Sequence, residues 1–322
     1  MTVQGEHKRS EILAILVDGQ FHSGQTLGEL LGISRVSVSK HIKVLGELGL
    51  DIFSIAGKGY KLSQPVTLLS QQKIQQSIQS CAVVEVLSVV GSTNDVIKSK
   101  TFKLQNGFTC LAEAQTAGRG RQGKRWISPF GASLYLSMYW NFPAGYHSVN
   151  GLSLVVGLAV ANGLERFGVS QAKLKWPNDI YVNDQKLAGI LVELEGQVGS
   201  DCHAIIGVGL NINIVDSKAQ IGQAWTDMNK ITGNTPDRNK LSAVIVDELV
   251  SAVEEFERKG FESFIQRWCN KDWLMNRPAK LHCGSSIIKG IGKGVDHQGA
   301  LLLETAQGIQ RFYGGEISVR AE

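Results

Sequence analysis

The chain has 322 residues, enough for two or three domains. Hydrophobic residues make up 43% and charged residues 19%, the composition of a globular protein, and a formal net charge of +4 is too mild for a bulk nucleic-acid coat. Cys81, Cys110, Cys202, Cys269 and Cys283 are odd in number and never in C-x-x-C spacing, which excludes a disulfide framework and suggests no zinc site.

The first residues carry no apolar signal-peptide core, and no uninterrupted apolar run approaches the ~18 residues of a membrane span. The expected location is the cytoplasm, with reduced thiols and no membrane partner. Ile12, Leu13, Ile15 and Leu16 predict a short helix ending near Asp18-Gly19. Ser23 caps a second helix with Leu27, Leu30 and Leu31; Gly32-Ile33 turns the chain; Ser34 caps a third with Val38, Ile42 and Leu45. Two helices around a Gly-containing turn make a helix-turn-helix, and Gly28 sits four residues before turn Gly32. Asp51–Ile55 and Tyr60–Leu62 flank a glycine turn and predict a β-hairpin wing.

From Ser34 to Gln64 there are five basic and two acidic residues, against two and four from Met1 to Ile33. The cations therefore gather in the third helix and wing. Ser34, Arg35, Ser37 and Lys40 at the helix start, with Lys58 at the wing tip, are the candidate DNA contacts. The same module could serve protein contacts instead. Specific DNA binding by so small a module calls for a dimer on two half-sites.

Gln64-Pro65-Val66-Thr67 reads as a linker into a region of mixed helices and strands. Phe108–Ala114 and Ser133–Trp140 predict strands, and Asn150–Phe167 is a nearly all-apolar helix that must be buried against a sheet. Lys173–Trp176, Ile180–Val182, Leu187–Leu194 and His203–Ile214 continue as strands joined by turns such as Asn183-Asp184. Thr235 as cap and Pro236 at the first position open a long helix to about Lys259. An α/β arrangement with a largely antiparallel sheet and helices on one side is expected. The last 51 residues, from Asp272, are rich in glycine and short β segments, enough for a small closed or nearly closed barrel.

The most informative stretch is Gly118-Arg119-Gly120-Arg121-Gln122-Gly123-Lys124-Arg125-Trp126, with three glycines and four cations. No acidic residue falls between Glu113 and Glu165, a composition suited to holding an anion. The stretch matches a dinucleotide fingerprint and most of a P-loop, but both need a helix directly after the glycines. Here Trp126-Ile127-Ser128-Pro129 leads into a strand, and Arg125 stands where a P-loop needs Ser or Thr. The loop joins strand to strand and is neither motif.

With its preceding Glu113-Ala114-Gln115-Thr116-Ala117, the loop resembles the biotin-binding loop of biotin protein ligases. Ser92-Thr93-Asn94, Lys175-Trp176-Pro177-Asn178-Asp179, the run Lys186 to Glu193 and Gly207-Val208-Gly209-Leu210-Asn211 match in family order. The resemblance covers essentially the whole chain and is to the bifunctional biotin ligase and biotin-operon repressor. It implies a multidomain α+β fold: a winged helix-turn-helix (1–64), a mixed α/β ligase domain with a largely antiparallel sheet (65–271) and an SH3-like barrel (272–322).

The implied chemistry joins biotin to AMP, using ATP carried with magnesium, and then to a lysine of a biotin carboxyl carrier protein. Biotinyl-5′-AMP would also be the corepressor that favours a homodimer on operator DNA. By resemblance Ser92, Thr93, Gln115 and Arg119 hydrogen-bond the ureido ring, with Asn94 and Gly120 beside them. Gly118, Trp126, Gly207 and Gly209 line the apolar body. Arg121 and Lys186 sit near the carboxylate and α-phosphate as catalytic cations, and Asp179 orients Lys186 or assists the acceptor amine. Asn178 and Asn211 lie on the nucleotide side, Trp225 in a loop closing over the adenosine, and Arg320 reaches the nucleotide or the acceptor. Gln122 replaces an Arg common in family loops. The same residues admit two other readings, a lipoate ligase and a biotin-sensing repressor without ligase activity.

Overall fold

The computed structural model describes residues 3–64, 66–197, 199–215, 221–283, 286–314 and 317–321. It opens with helices α1 (Val3–Leu16), α2 (Gly24–Leu31) and α3 (Arg35–Glu47). α1 starts earlier than the apolar spacing implies, because its first turns are almost wholly polar and leave no periodic signal. The Ser23 and Ser34 hydroxyls cap α2 and α3, accepting from the N–H of Thr26 and Ser37 at 3.0 and 3.1 Å. Gly28 lets the helix pair close: a methyl there would lie 2.6 Å from the Ile33 carbonyl oxygen. Strands β1 (Ile52–Ile55) and β2 (Gly59–Leu62) pair antiparallel as the wing. The core of this unit, built on Ile12, Leu16, Leu27, Val38 and Leu45, also takes in Ala114 and Phe130 from farther along the chain.

The central region runs α4 (Gln71–Ser77), β3 (Val84–Val90), α5 (Thr93–Lys98), β4 (Thr109–Gln115), β5 (Ser133–Phe142), α6 (Leu152–Glu165), β6 (Lys173–Lys175), β7 (Asp179–Val182), β8 (Gln185–Glu195) and β9 (Cys202–Asn211). It continues with α7 (Met228–Thr232), α8 (Arg238–Lys259) and α9 (Ile265–Lys271). One seven-stranded sheet results, in the order β3-β4-β5-β9-β8-β7-β6, with β3 parallel to β4 and the other neighbours antiparallel. Asn183 and Asp184 turn β7 into β8 at φ 49° and 60°, the left-handed pair that a two-residue hairpin needs.

α6 and α8 cover one face of the sheet, packing on Leu136, Met138, Ile206 and Val208. The stretch Tyr146–Glu165 has the length and hydropathy of a membrane span, but here it is 67% buried as the core helix. The helices do not all lie on one side, as the sequence suggested. α5 packs on the opposite face, where Ile97 meets Cys110, Tyr139 and Ile205. Strand residues alternate between faces, and this face carries Ser137, Gly207 and Gly209, too little apolar surface to announce a helix. The start of α8 also differs. Its cap is Asp237, whose Oδ1 accepts from Asn239 and Lys240 N–H at 2.8 and 3.3 Å, while Thr235 donates to Asn229. A carboxylate there satisfies two orphan donors and favours the positive helix end, which a Thr farther back cannot match.

Beyond Asp272, β10 (Pro278–Cys283), β11 (Ser286–Val295), β12 (Leu301–Thr305), β13 (Gly308–Phe312) and β14 (Ile317–Ala321) form an antiparallel sheet ordered β13-β12-β11-β10-β14. This is the expected SH3-like piece. Trp176 Nε1 donates to Gly299 O at 3.0 Å, and Trp273 Nε1 to Asp184 Oδ1 at 2.7 Å, fastening it to the central sheet.

Two buried carboxylates lie where the parts meet, and only the first holds them together. Glu113 on β4 accepts from Arg238 at 2.5 Å and from the Leu69 N–H at 2.5 Å. Arg238 also donates to the Thr67 and Ser133 carbonyls, so α8, β5 and the linker meet at one almost fully buried pair. Glu113→Gln strands the Arg238 charge and is expected to cost about 3–5 kcal/mol of stability, measured by urea unfolding. Asp272, at the start of the last region, accepts from the Leu274 N–H at 2.8 Å. Burial pushes its carboxyl up to about 6, against the pull of Leu274 N–H and Lys173. Its folded pKa exceeds the unfolded one, so this group costs stability as pH rises from 3.8 to about 6. Asp272→Asn keeps the Leu274 contact and is expected to be more stable at neutral pH by on the order of 2 kcal/mol. Melting curves should show that advantage disappearing near the lower end of that window.

Candidate active site

The face of the sheet that carries α5 holds a cleft of about 560 Å³. Its floor is made by absent side chains. A methyl on Gly207 would lie 2.5 Å from Asn94 Oδ1, and one on Gly209 2.5 Å from Trp126 Cε2. Gly189 on β8 repeats the pattern, 2.9 Å from Trp126 Cζ3. The Trp126 indole therefore lies on two glycine-bearing strand positions, Gly189 and Gly209, with Lys186 Nζ 5.4 Å from its ring centroid.

One end of the cleft is a neutral hydrogen-bonding wall. Ser92 occupies the cap position of α5 but makes no capping bond, so the plain helix-cap account of Ser92-Thr93-Asn94 explains its place and not its hydroxyl. Thr93 N–H donates to Gln115 Oε1 at 2.9 Å, and Gln115 Nε2 to Ser128 Oγ at 3.0 Å, which fixes the Gln115 amide. Ser137 Oγ lies 2.7 Å from Thr93 Oγ1 and 2.5 Å from Asn94 Oδ1. Its single proton can serve only one of them, so the Thr93 hydroxyl must supply the other contact. Asn94 completes its bonding through Nδ2 to Glu193 Oε2 at 2.6 Å.

The other end is cationic. Arg121 NH1 donates to Asn178 Oδ1 at 3.4 Å, and Asn178 Nδ2 to Ile190 O at 2.8 Å. Burial pulls the Arg121 guanidinium below its usual pKa while Asp179 opposes the shift, and the group stays charged at neutral pH. Lys186 pairs with Asp179 at 2.8 Å. Lys175 lies 4.5 Å from the centroid of the Tyr181 ring, whose hydroxyl burial pushes up to about 12. The 118–126 loop roofs the cleft as a short hairpin, with Gly120 N–H on Lys124 O at 2.7 Å and Trp126 N–H on Gly118 O at 2.9 Å. Along the opposite rim, Lys186 N–H donates to Ala224 O and Asn211 Nδ2 to Thr226 O, placing Trp225 beside Lys186.

Almost every position singled out for biotin or nucleotide lines this cleft. Gly118 does not. It is buried beneath the loop, where a methyl would lie 2.6 Å from Ser128 Oγ, so its part is to close the hairpin. Arg320 belongs to β14, opposite Lys280, and its side chain lies outside the described residues. Several polar groups prove to be committed to the protein: Asn94, Asn178 and Asn211 as above, and Arg119, paired with Asp95. The sequence reasoning passed over Ser137, and it had Lys175, Gly189 and Glu193 only as members of matched motifs, without a role. Ser137 left a weak signal of its own, a small polar residue between Leu136 and Met138 of a largely apolar strand.

In the N-terminal unit, Ser34, Arg35 and Lys40 are exposed at the start of α3, with Ser37 half-buried and Lys58 exposed at the wing tip. The Arg35 stem lies beside Gly24 and Tyr60, where a methyl on Gly24 would be 3.2 Å from Arg35 Cγ. Val36, 66% exposed between Arg35 and Ser37, is an apolar neighbour that the sequence reading passed over.

Residues 86–211 match the Biotin/lipoate A/B protein ligase family, 8–61 an HTH domain and 280–320 the Biotin protein ligase C terminal domain. The bifunctional ligase/repressor BirA of Escherichia coli is 44% identical over 312 residues, 97% of each chain. The chain belongs to the bifunctional biotin ligase and repressor family. The Bacillus subtilis relative of the same description is 29% identical, over 93% of this chain and 94% of its own. The structure of a biotin protein ligase from Aquifex aeolicus in complex with biotin and ATP aligns with a TM-score of 0.66 at 30% identity. That alignment covers 74% of this chain and 99% of that one.

For this family member the glycine floor makes a sharp test. Gly209→Ala forces the rigid indole of Trp126 off the sheet, an overpacking cost of about 1–3 kcal/mol. Biotin affinity measured by calorimetry is expected to fall by about tenfold, an amount within that range, and the melting temperature by a few degrees.

Proposed function

We propose that this protein activates biotin with ATP, transfers it to a lysine of a biotin carboxyl carrier protein, and represses transcription when the adenylate is bound. The observation that carries the reading is the polarity of one cleft. Its Thr93–Gln115 end offers neutral donors and acceptors, suited to a ureido ring, while Arg121 and Lys186 face the far end. The Trp126 indole between them suits an apolar body. A ligand with a neutral head, an apolar middle and a carboxylate tail fits in one orientation only, because Asp95 and Glu193 outweigh Arg119 near the head end.

In the first step the carboxylate oxygen attacks the α-phosphorus of ATP, and the bond to pyrophosphate breaks with its electron pair leaving on pyrophosphate. The attacking group has an ordinary pKa near ~4.3 and needs no base. What needs offsetting is the negative charge that gathers on the phosphate. Arg121 and Lys186 do this from fixed positions, each at ~4 kcal/mol for a 4 Å contact at an effective dielectric of about 20. Asn178 and Asp179 keep the two cations in place before the ligand arrives. Magnesium enters with the ATP phosphates. In the second step a lysine amine attacks the acyl carbon, AMP leaves with the bonding pair, and the amine gives up a proton, for which Asp179 is the nearby acceptor.

The reading takes the domain borders at 64/65 and 271/272 and a location in the cytoplasm, which suits the free thiols of Cys81, Cys110, Cys202 and Cys269. Repression requires two copies on paired half-sites, and an adenylate that orders the glycine loop would favour that pairing by linkage. Sedimentation with and without biotinyl-5′-AMP reads this directly, and unchanged self-association would refute it. The enzymatic claim is tested by exchange of labelled pyrophosphate into ATP. Exchange is expected with biotin and not with lipoate, and Lys186→Gln should slow it by about 10²-fold. Exchange with lipoate alone would make the protein a lipoate ligase. No exchange with either, from folded protein, would leave a DNA-binding sensor.

A further inference from the structure

Arg119 does not point a free guanidinium at the cleft. Its NH1 and NH2 donate to Asp95 Oδ2 and Oδ1 at 2.7 and 2.6 Å, a bidentate pair, and NH2 lies 3.5 Å from Glu193 Oε2. Three elements meet there: the glycine loop, α5 and β8. The contact continues inward, since Glu193 Oε2 also takes the Asn94 amide and Asn94 Oδ1 takes Ser137. Outward, the Arg119 backbone bridges to Arg125, so its side chain anchors the first arm of the loop hairpin. Arg119 holds the Asp95 carboxyl below the usual range, and the carboxylate raises Arg119 in return. The pair therefore stays charged throughout the neutral range.

We infer that Asp95, backed by Glu193, is a positioning residue that acts through Arg119 to hold the 118–126 loop closed over the head end of the cleft. This deepens the biotin reading given above and rests on it. Asp95 makes the contact from the outer side of α5, whose preceding residues Ser92, Thr93 and Asn94 line the cleft. One turn of chain thus serves the ligand with three residues and the roof with the fourth. The role expected of Arg119 changes accordingly, from ligand donor to latch.

The test uses trypsin, which must draw an arginine into its own acidic pocket before cutting after it. A cut after Arg119 needs the clamp open, whereas the Lys124 and Arg125 side chains are exposed on the second arm of the hairpin and give an internal reference. Asp95→Asn, which keeps the shape and removes the charge, is expected to raise the Arg119 cut by about fivefold over the reference, the upper range for a half-exposed pair. The KM for biotin should rise by a similar factor, with the KM for ATP and the melting temperature unchanged. Asp95→Glu should recover most of both. Added salt should speed the Arg119 cut in the wild type and have little effect in Asp95→Asn. An unchanged cut ratio overturns the clamp. A faster cut with an unchanged biotin KM overturns its role at the site, and an equal rise in both KM values overturns it in favour of general loosening. The digestion needs no enzymatic activity, so absent pyrophosphate exchange in the wild type would sink the biotin reading while the cut ratio still judged the clamp.

Discussion

The site depends on one constraint, that Gly207 and Gly209 share a face of β9 and carry no side chain. Strand residues alternate, so Ile206, Val208 and Leu210 of the same strand turn the other way, under α6 and α8. One ten-residue strand therefore contributes to the core on one face and empties the floor of the cleft on the other. A methyl at either glycine would collide with Asn94 or Trp126, the two groups that define the head wall and the platform. The glycines are needed for close approach and not for backbone freedom, since neither has a positive φ.

From that floor the order of the rest follows. Trp126 can lie flat, Lys186 can stand over it, and the loop from Gly118 can reach back to α5. The connection from β4 to β5 serves two masters. Gln115 and Trp126 line the cleft and Ser128 holds the Gln115 amide, while Ala114 and Phe130 are buried in the core of the DNA-binding unit. Phe130 N–H donates to Leu48 O at 2.9 Å, and a methyl at Gly49 would meet Pro129 Cβ at 2.6 Å. Residues one to four positions apart thus belong to the ligand cleft and to the winged helix. The buried Glu113–Arg238 pair stands at the head of this connection and holds the linker at Thr67 and Leu69 against the sheet. Ligand site and DNA-binding unit are joined by a short, tightly held length of chain, which gives coupling between them a physical basis.

Much of this was legible in the sequence because it rests on local signals. Ser23, Ser34 and Gly32 mark helix ends by capping chemistry, Asn183-Asp184 marks a hairpin, and the five motifs fall in family order. What escaped is set by tertiary contacts. α5 gave no amphipathic signal because it buries only Thr93, Asn94 and Ile97 within six residues. The start of α8 was misplaced because Thr-Pro-Asp offers two caps, and only the packing around Asn229 shows which one is used. Arg119 lines the cleft as expected, but the carboxylate that holds its fork left no local signal, because a loop cation looks the same whether it faces an anion or a carboxylate from another element. The Asp95 that claims it stands 24 residues away, beyond the reach of any local rule.

The committed side chains leave the cleft ordered before a ligand enters it. Asn94, Asn178 and Asn211 spend their amides on Glu193, Arg121, Ile190 and Thr226, and Arg119 spends its fork on Asp95. None of these bonds has to form when the ligand arrives. Their effect is to fix Thr93, Gln115, Arg121 and the rim at Trp225 beforehand, so the ordering cost is met during folding. Lys186 gains most from this arrangement. Its ammonium is held between Asp179 and the face of Trp126, and its backbone is pinned to the 224–226 segment on the opposite rim. A long, flexible side chain becomes a fixed charge at the point where two anions must meet. The glycine floor, by seating Trp126, is what makes that position available.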